Sequence, residues 1–233
     1  MSRIEELTWD TEFFGIRTAR FTGETLDSES WISVERECHA KQVKCLYMLA
    51  NSSDLETSLT LEANAFHFAD TRLTYDLEIS ATSWPEGIQP ASAQDIELLA
   101  PLARESHTDS RFFFDPGFDD ARCRDFYETW LRNSFGGFAD STLIAQVDGQ
   151  PVGYLTLHKR SDFGQIGIIA VSETARGQGV GRRLMQAAHT QYTDWGFSHA
   201  KVVTQLRNLA AQRLYQAHGY RITDATHWYH RWF

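Results

Sequence analysis

The chain has 233 residues, 42% hydrophobic and 23% charged, an ordinary composition for one large globular domain or two small ones. A net charge of −9 argues against nucleic acid or an anionic membrane as a general partner, so any anion site must be a local basic patch on an acidic body. No apolar run is long enough to span a bilayer, no leader pattern opens the chain, and Cys38, Cys45 and Cys123 fit neither zinc nor disulfide spacing; a cytoplasmic protein is expected.

Residues 7–21 begin with an aromatic cluster, Trp9, Phe13 and Phe14, then Gly15 and a strand-like alternation. Residues 28–43 read as a helix with Trp31, Val34 and Cys38 on one face, and residues 45–50 as a buried strand. Ser53 and Glu56 have capping-box spacing before a helix that carries Leu55, Leu59, Ala63 and Phe66. Residues 71–79 alternate as a strand. Residues 81–90, ATSWPEGIQP, hold two prolines and a glycine without periodicity and read as a linker. The expected domains are therefore 1–80 and 91–233.

In the second part, Ser92 and Asp95 start a helix through Leu98, Leu99 and Leu102, with Pro101 predicting an early kink or end. Residues 107–118 form an aromatic and polar loop, followed by a helix carrying Phe126, Tyr127, Trp130 and Leu131. Strands at 142–147 and 152–158 flank Asp148-Gly149, a hairpin signal. A β-branched run at 166–171 leads to Arg176-Gly177-Gln178-Gly179-Val180-Gly181-Arg182-Arg183 and then a helix ending near Trp195, with Gly196 as its cap. A strand at 200–206, a helix at 208–218 stopped by Gly219 and a strand at 223–233 complete the chain.

A buried strand running into a glycine-rich turn that opens a helix builds a pyrophosphate cradle, because backbone N–H groups converge at the positive end of the helix. The Gly-Lys-Ser/Thr of a nucleotide P-loop is missing, and the order of glycines and acids does not fit a dinucleotide fingerprint. The pattern Arg-x-x-Gly-x-Gly after an apolar strand resembles the coenzyme A loop of the GCN5-related N-acetyltransferases (GNAT). That resemblance implies an α/β (α+β) GNAT fold, a mixed central sheet flanked by helices. The order of elements over 91–233 is that of a complete GNAT fold, and 1–80 loosely repeats part of it without the glycine loop. Ser58 stands there where a catalytic tyrosine would be, so the first part is expected to brace the second.

The resemblance also implies roles. Ile169, Ala170 and Val171, on a strand splayed from its neighbour in this family, would meet acetyl-CoA through their main chain. Arg176, Gly177, Gln178, Gly179, Val180, Gly181 and Arg182 would hold its phosphates, with Asn208 and position 214 as further contacts. Leu214 stands where a basic residue is expected. Tyr215, two helical turns after Asn208, would donate a proton to the departing thiolate. No general base stands out: His158, Asp162, His107, Asp115 and a water relay are all open. The nine histidines show no metal pattern, so no metal is expected.

LTWDTEFFG near the start, SRF at 110–112, FYETW at 126–130, the Asn208/Tyr215 pair and WYHRW near the end are similar to the bacterial TDP-fucosamine acetyltransferase family. This implies acetylation of the 4-amino group of a dTDP-4-amino-4,6-dideoxyhexose for surface polysaccharide, by a homodimer. Arg111 would then pair with the diphosphate, Phe112, Phe118 and Tyr127 would stack on base or sugar, and His158 would face the acceptor. Acetylation of another small amine or a peptide N-terminus, or non-catalytic sensing of acetyl-CoA, are the alternatives.

Overall fold

The computed structural model describes residues 3–80 and 82–233. In chain order it contains β1 (Ile4–Glu6), α1 (Thr8–Phe14), β2 (Thr18–Phe21), α2 (Ser28–Ala40), β3 (Cys45–Asn51), α3 (Leu55–Ala63) and β4 (His67–Glu78). There follow β5 (Ile88–Pro90), α4 (Ala93–Ser106), α5 (Asp120–Asn133), β6 (Ser141–Val147), β7 (Gln150–Lys159), β8 (Gly164–Val171), α6 (Val180–Asp194), β9 (His199–Gln205), α7 (Leu209–Ala217) and β10 (Arg221–Trp232).

Ten strands of the described residues form one mixed sheet in the order β1-β2-β3-β10-β4-β9-β8-β7-β6-β5. The order follows from pairing rather than from sequence: β10 lies between β3 and β4 and runs antiparallel to both. The stretches on either side of residues 81–90 thus share a continuous sheet. Of those residues, Ala81 lies outside the described ones and Ile88–Pro90 pair with β6 as an edge strand.

Alternating side chains divide the core between the two faces. On one face α6 and α7 cover Leu73, Tyr75, Leu155, Ile166 and Val202, while α2 covers Leu46, Met48 and Ala50. On the other, α4 and α5 cover Ile144, Tyr154, Ile168 and Ala170. An aromatic cluster joins Tyr47 on β3 to Phe112, Phe118, Phe126 and Tyr127 on that same face.

Local signals place most elements, with two corrections. Asp54, not Ser53, caps α3 by accepting from Thr57 N at 3.0 Å, and α3 buries Thr57, Thr60 and Leu61 while Leu55 and Leu59 are exposed. Thr57 turns inward because its Oγ1 accepts from Leu26 N at 2.9 Å, a contact that apolar spacing cannot show. α4 continues through Pro101 to Ser106, since a proline removes one ladder bond and the buried Ile96, Leu99, Ala100 and Ala103 hold the helix together across it.

Candidate active site

β8 pairs with β9 only where Gly164, Gln165 and Ile166 meet Ala200, Lys201 and Val202. Beyond that point the two parallel strands part. The cause is visible on the other edge of β8: Leu155 of β7 faces Ile169 and Leu157 faces Ile166, so two residues of β8 oppose Thr156 in a bulge. Thr156 Oγ1 accepts from Ile168 N at 2.9 Å and fixes it. A Cβ on Gly167 would come within 2.5 Å of that oxygen and 2.6 Å of His158 Nε2, so the bulge requires glycine. The β9-facing backbone groups of residues 167–171 have no strand partner and must be satisfied by something that enters the gap. Ile169 and Val171 pack toward α6 and Ala170 toward α4, which leaves their main chain for a ligand.

Past β8 the chain turns into α6 through Gly177 at φ 76° and Gly179 at φ 73°, left-handed positions that suit glycine. Gly179 is the N-cap and has no side chain to satisfy the first N–H groups of α6, which point outward as an anion site. Gln178 Nε2 donates to Thr174 O at 2.9 Å and Arg183 Nη1 to Gln178 O at 3.2 Å, tying the turn to itself. Arg176 and Arg182 are exposed beside it, whereas the Val180 side chain is buried and can contribute only main chain. Gly181 brings α6 close to α7: a Cβ there would stand 3.4 Å from Leu214 Cδ1. Leu214 therefore packs at the contact between the two helices, where an apolar side chain fits.

α7 begins just beyond β9. Asn208 caps it, its Oδ1 accepting from Ala211 N at 2.9 Å. The Tyr215 ring is 3% exposed, 5.8 Å from that of Tyr75 and 6.0 Å from that of Tyr220. Its hydroxyl makes no hydrogen bond among the described residues. Burial pushes the phenol above its ordinary pKa, so Tyr215 keeps its proton across the working range.

The acceptor side differs from the sequence expectation. Phe112, Phe118 and Tyr127 are buried in the aromatic cluster, with Phe112 and Phe118 edge-on at 5.1 Å, and present no stacking surface. The Arg111 guanidinium is wedged among Trp228, Phe112 and Tyr47 at 4.1, 4.2 and 4.7 Å, and its Nε donates to His230 Nε2 at 3.2 Å. An arginine flanked by phenylalanines reads as a ligand-facing group, but here its flat faces are covered by protein. Of the phenylalanines in the loop of residues 107–118, Phe114 is the exposed one, and the guanidinium over it, at 3.7 Å, is that of Arg207, a residue that no motif marked. Arg207 is held by two bonds of 3.1 Å from Nη1 and Nη2 to Ala69 O and an ion pair of 3.3 Å with Asp70.

The model of the acetyltransferase (GNAT) family matches residues 101–220, more than half of the chain. The chain belongs to the GNAT family. GNAT enzymes are acyltransferases that use acetyl-CoA as cosubstrate. The chain is 27% identical to the dTDP-fucosamine acetyltransferase of Escherichia coli over 98% of its own length and 97% of that protein's. It is 29% identical to the spore coat polysaccharide biosynthesis protein SpsD of Bacillus subtilis over 61% of its length, and that match spans about half of SpsD. Among solved structures, a conserved protein of unknown function from Staphylococcus epidermidis superposes with a TM-score of 0.70 at 18% identity, covering 99% of this chain and 91% of the other. A GCN5-related N-acetyltransferase from Sphaerobacter thermophilus gives 0.66 at 16% identity, covering 98% and 76%. These likenesses show the GNAT fold.

GNAT chemistry needs an amine in its free-base form, and the four candidate bases separate by position. His107 Nε2 lies 2.9 Å from Tyr154 Oη with its ring stacked on Tyr127, and burial pushes it down to about 4. Asp162 is engaged by Ser161 Oγ at 2.9 Å in the turn between β7 and β8. Burial alone would raise the Asp115 carboxyl, but bonds from His230, Gly117 and Trp232 hold it below the ordinary value. His158 stands on β7 beside Gly167, where the splay starts, on the face away from α6. Burial lowers its pKa and keeps the imidazole neutral, the state in which it can take a proton.

His67, Asp115 and His230 bring three ligand atoms within 4.8 Å, a set that suits a divalent metal by type. His230 and Asp115 are already engaged with each other, and His67 Nε2 stands 3.1 Å from the same carboxylate oxygen. Because Arg111 Nε donates to His230 Nε2, the His230 proton sits on Nδ1 and goes to Asp115 Oδ2 at 2.5 Å. A metal on Nδ1 would need that proton moved to Nε2, facing the arginine. The cluster is better suited to fixing the loop of residues 107–118 against β4 and β10.

Proposed function

We propose that this GNAT enzyme transfers acetyl from acetyl-CoA to the 4-amino group of a dTDP-4-amino-4,6-dideoxyhexose used for surface polysaccharide. The splay between β8 and β9, open between His158 on one face and the Tyr215 helix on the other, carries the chemical part of this reading. The full-length similarity to a dTDP-fucosamine acetyltransferase supports the substrate class. Residues 1–80 wall the acceptor side and do no chemistry themselves.

Those N–H groups of residues 167–171 that face β9 are donors for the thioester carbonyl, whose oxygen gains charge as the amine nitrogen attacks. As the new C–N bond forms, the amine proton passes to His158, directly or through water. As the C–S bond breaks, Tyr215 gives its proton to the thiolate and recovers one from solvent. Asn208, with Oδ1 committed to its cap, has its amide NH₂ for the pantetheine arm, and the glycine turn with Arg176 and Arg182 takes the CoA diphosphate.

The test is release of CoA thiol from acetyl-CoA with dTDP-4-amino-4,6-dideoxygalactose, its 4-epimer, a polyamine and a peptide. Turnover with a dTDP-sugar alone is the expected result, and Tyr215→Phe should lower it by about 10²-fold or more with acetyl-CoA affinity unchanged. Turnover restricted to the polyamine or peptide would overturn the substrate class. Full activity of the phenylalanine variant would remove Tyr215 from the chemistry.

A further inference from the structure

On the sheet face away from α6 and α7, Asp70 of β4 is paired with Trp228 of β10, and Arg72 with Thr226 of β10 and Gln205 of β9. Paired residues share a face, so Asp70 and Arg72 stand on the same floor, about 7 Å apart along the strand. Arg207, two residues past Gln205, folds back over the Asp70 end, locked by Ala69 O, Asp70 and the Phe114 ring. Its guanidinium is partly exposed.

Arg72 is the anomaly. It is partly buried, yet among the described residues it has no hydrogen bond and no ion pair. Loss of water lowers its pKa from the ordinary arginine value, with the Asp224 carboxylate partly opposing this and Arg111 adding to it. Its cross-strand neighbour Thr226 has a buried hydroxyl without a partner. A cation stripped of water is costly unless an anion arrives to meet it. Two arginines on one face, Arg72 on the strand and Arg207 over the Asp70 end of it, suit the oxygens of a diphosphate, which arginine binds in a fork.

We propose that Arg72 and Arg207 form an anion subsite for the diphosphate of the acceptor nucleotide sugar, with Phe114 as its exposed aromatic wall. This rests on the nucleotide-sugar reading and replaces Arg111, whose guanidinium is already enclosed. The CoA diphosphate has its own cradle at the start of α6, so the two phosphate sources are separable by which affinity changes.

The experiment compares wild type, Arg72→Gln and Arg207→Gln as full chains, using dTDP binding by calorimetry and steady-state kinetics with the dTDP-amino sugar, the same sugar without its nucleotide, and acetyl-CoA. Each variant should weaken dTDP binding and raise the dTDP-sugar KM by about tenfold or more. The KM for acetyl-CoA and the rate with the nucleotide-free sugar should stay near wild type. Arg72→Gln breaks no contact, so its Tm should not fall, whatever Arg207→Gln does by exposing Asp70. Wild-type dTDP affinity in Arg72→Gln, absence of dTDP binding in wild type, or a rise confined to the acetyl-CoA KM would each overturn the subsite. If wild type acetylates neither dTDP-sugar yet binds dTDP in an Arg72-dependent way, the acceptor reading falls and the subsite stands. If wild type acetylates a dTDP-sugar and both variants match it, the reverse holds.

Discussion

His158 illustrates how much a single side chain depends on its neighbours. In the sequence it is one of nine histidines; in the fold it sits beside the glycine that bends β8, with burial holding it neutral. His158→Gln keeps a polar side chain of similar reach but cannot accept a proton. It should lower kcat by about 10²-fold and leave the acetyl-CoA KM unchanged. Unchanged kcat would hand the proton to water. The placement of Asn208 at the start of α7 and Tyr215 two turns along it was legible because capping and helical spacing are local. Arg111 and Arg207 were not. Which of two arginines faces solvent depends on Trp228 and Tyr47, which lie more than sixty residues from one or the other and meet only in the folded sheet.

Among the elements, the glycine turn before α6 carries the clearest sequence signal, because each glycine answers a local need. Gly179→Val forces a β-branched residue to φ near 73°, although the space around it is open. The left-handed conformation costs about 1–2 kcal/mol, and the turn will relax to avoid it, misaiming the N–H groups. The acetyl-CoA KM should rise by about tenfold while the acceptor KM holds; equal acetyl-CoA KM values would mean that the arginines alone grip the phosphates. The gap beside β8 was less legible. Gly167 reads as one more strand residue until Thr156 and His158 are seen to occupy the space a side chain would need. The capping of α3 by Asp54 and the passage of α4 through Pro101 show the same limit, since packing decides between neighbouring local options.

For the whole molecule, buried histidines set the response to acid. Burial pushes His107, His189 and His230 each down to about 4, so the folded protein holds them neutral where the unfolded chain, near 6.5, would protonate them. The stability they contribute is full above pH 6.5 and falls as pH drops toward 4, by about 1.4 kcal/mol per histidine for each pH unit. Asp70, pushed up to about 6 chiefly by burial, works in the opposite sense, gaining as pH falls, as do Asp10 and Asp109, whose carboxyls burial also raises; His158 and His218, lowered by burial too, add to the three histidines and leave the acid-labile sense ahead. Tm at pH 5 should therefore lie roughly 10 °C below that at pH 7. A flat profile between these values would mean that the three rings are hydrated in solution. The sheet order, the least legible feature of all, has a consequence for synthesis. β3 and β4 leave the ribosome early, but the strand that fits between them is encoded some 140 residues later. Both must wait with bare edges, exposed to mispairing and to chaperone capture, while β6, β7 and β8 can zip together as they emerge. The part of the protein that is translated first is therefore the part whose sheet can be completed only when the last strand has been made.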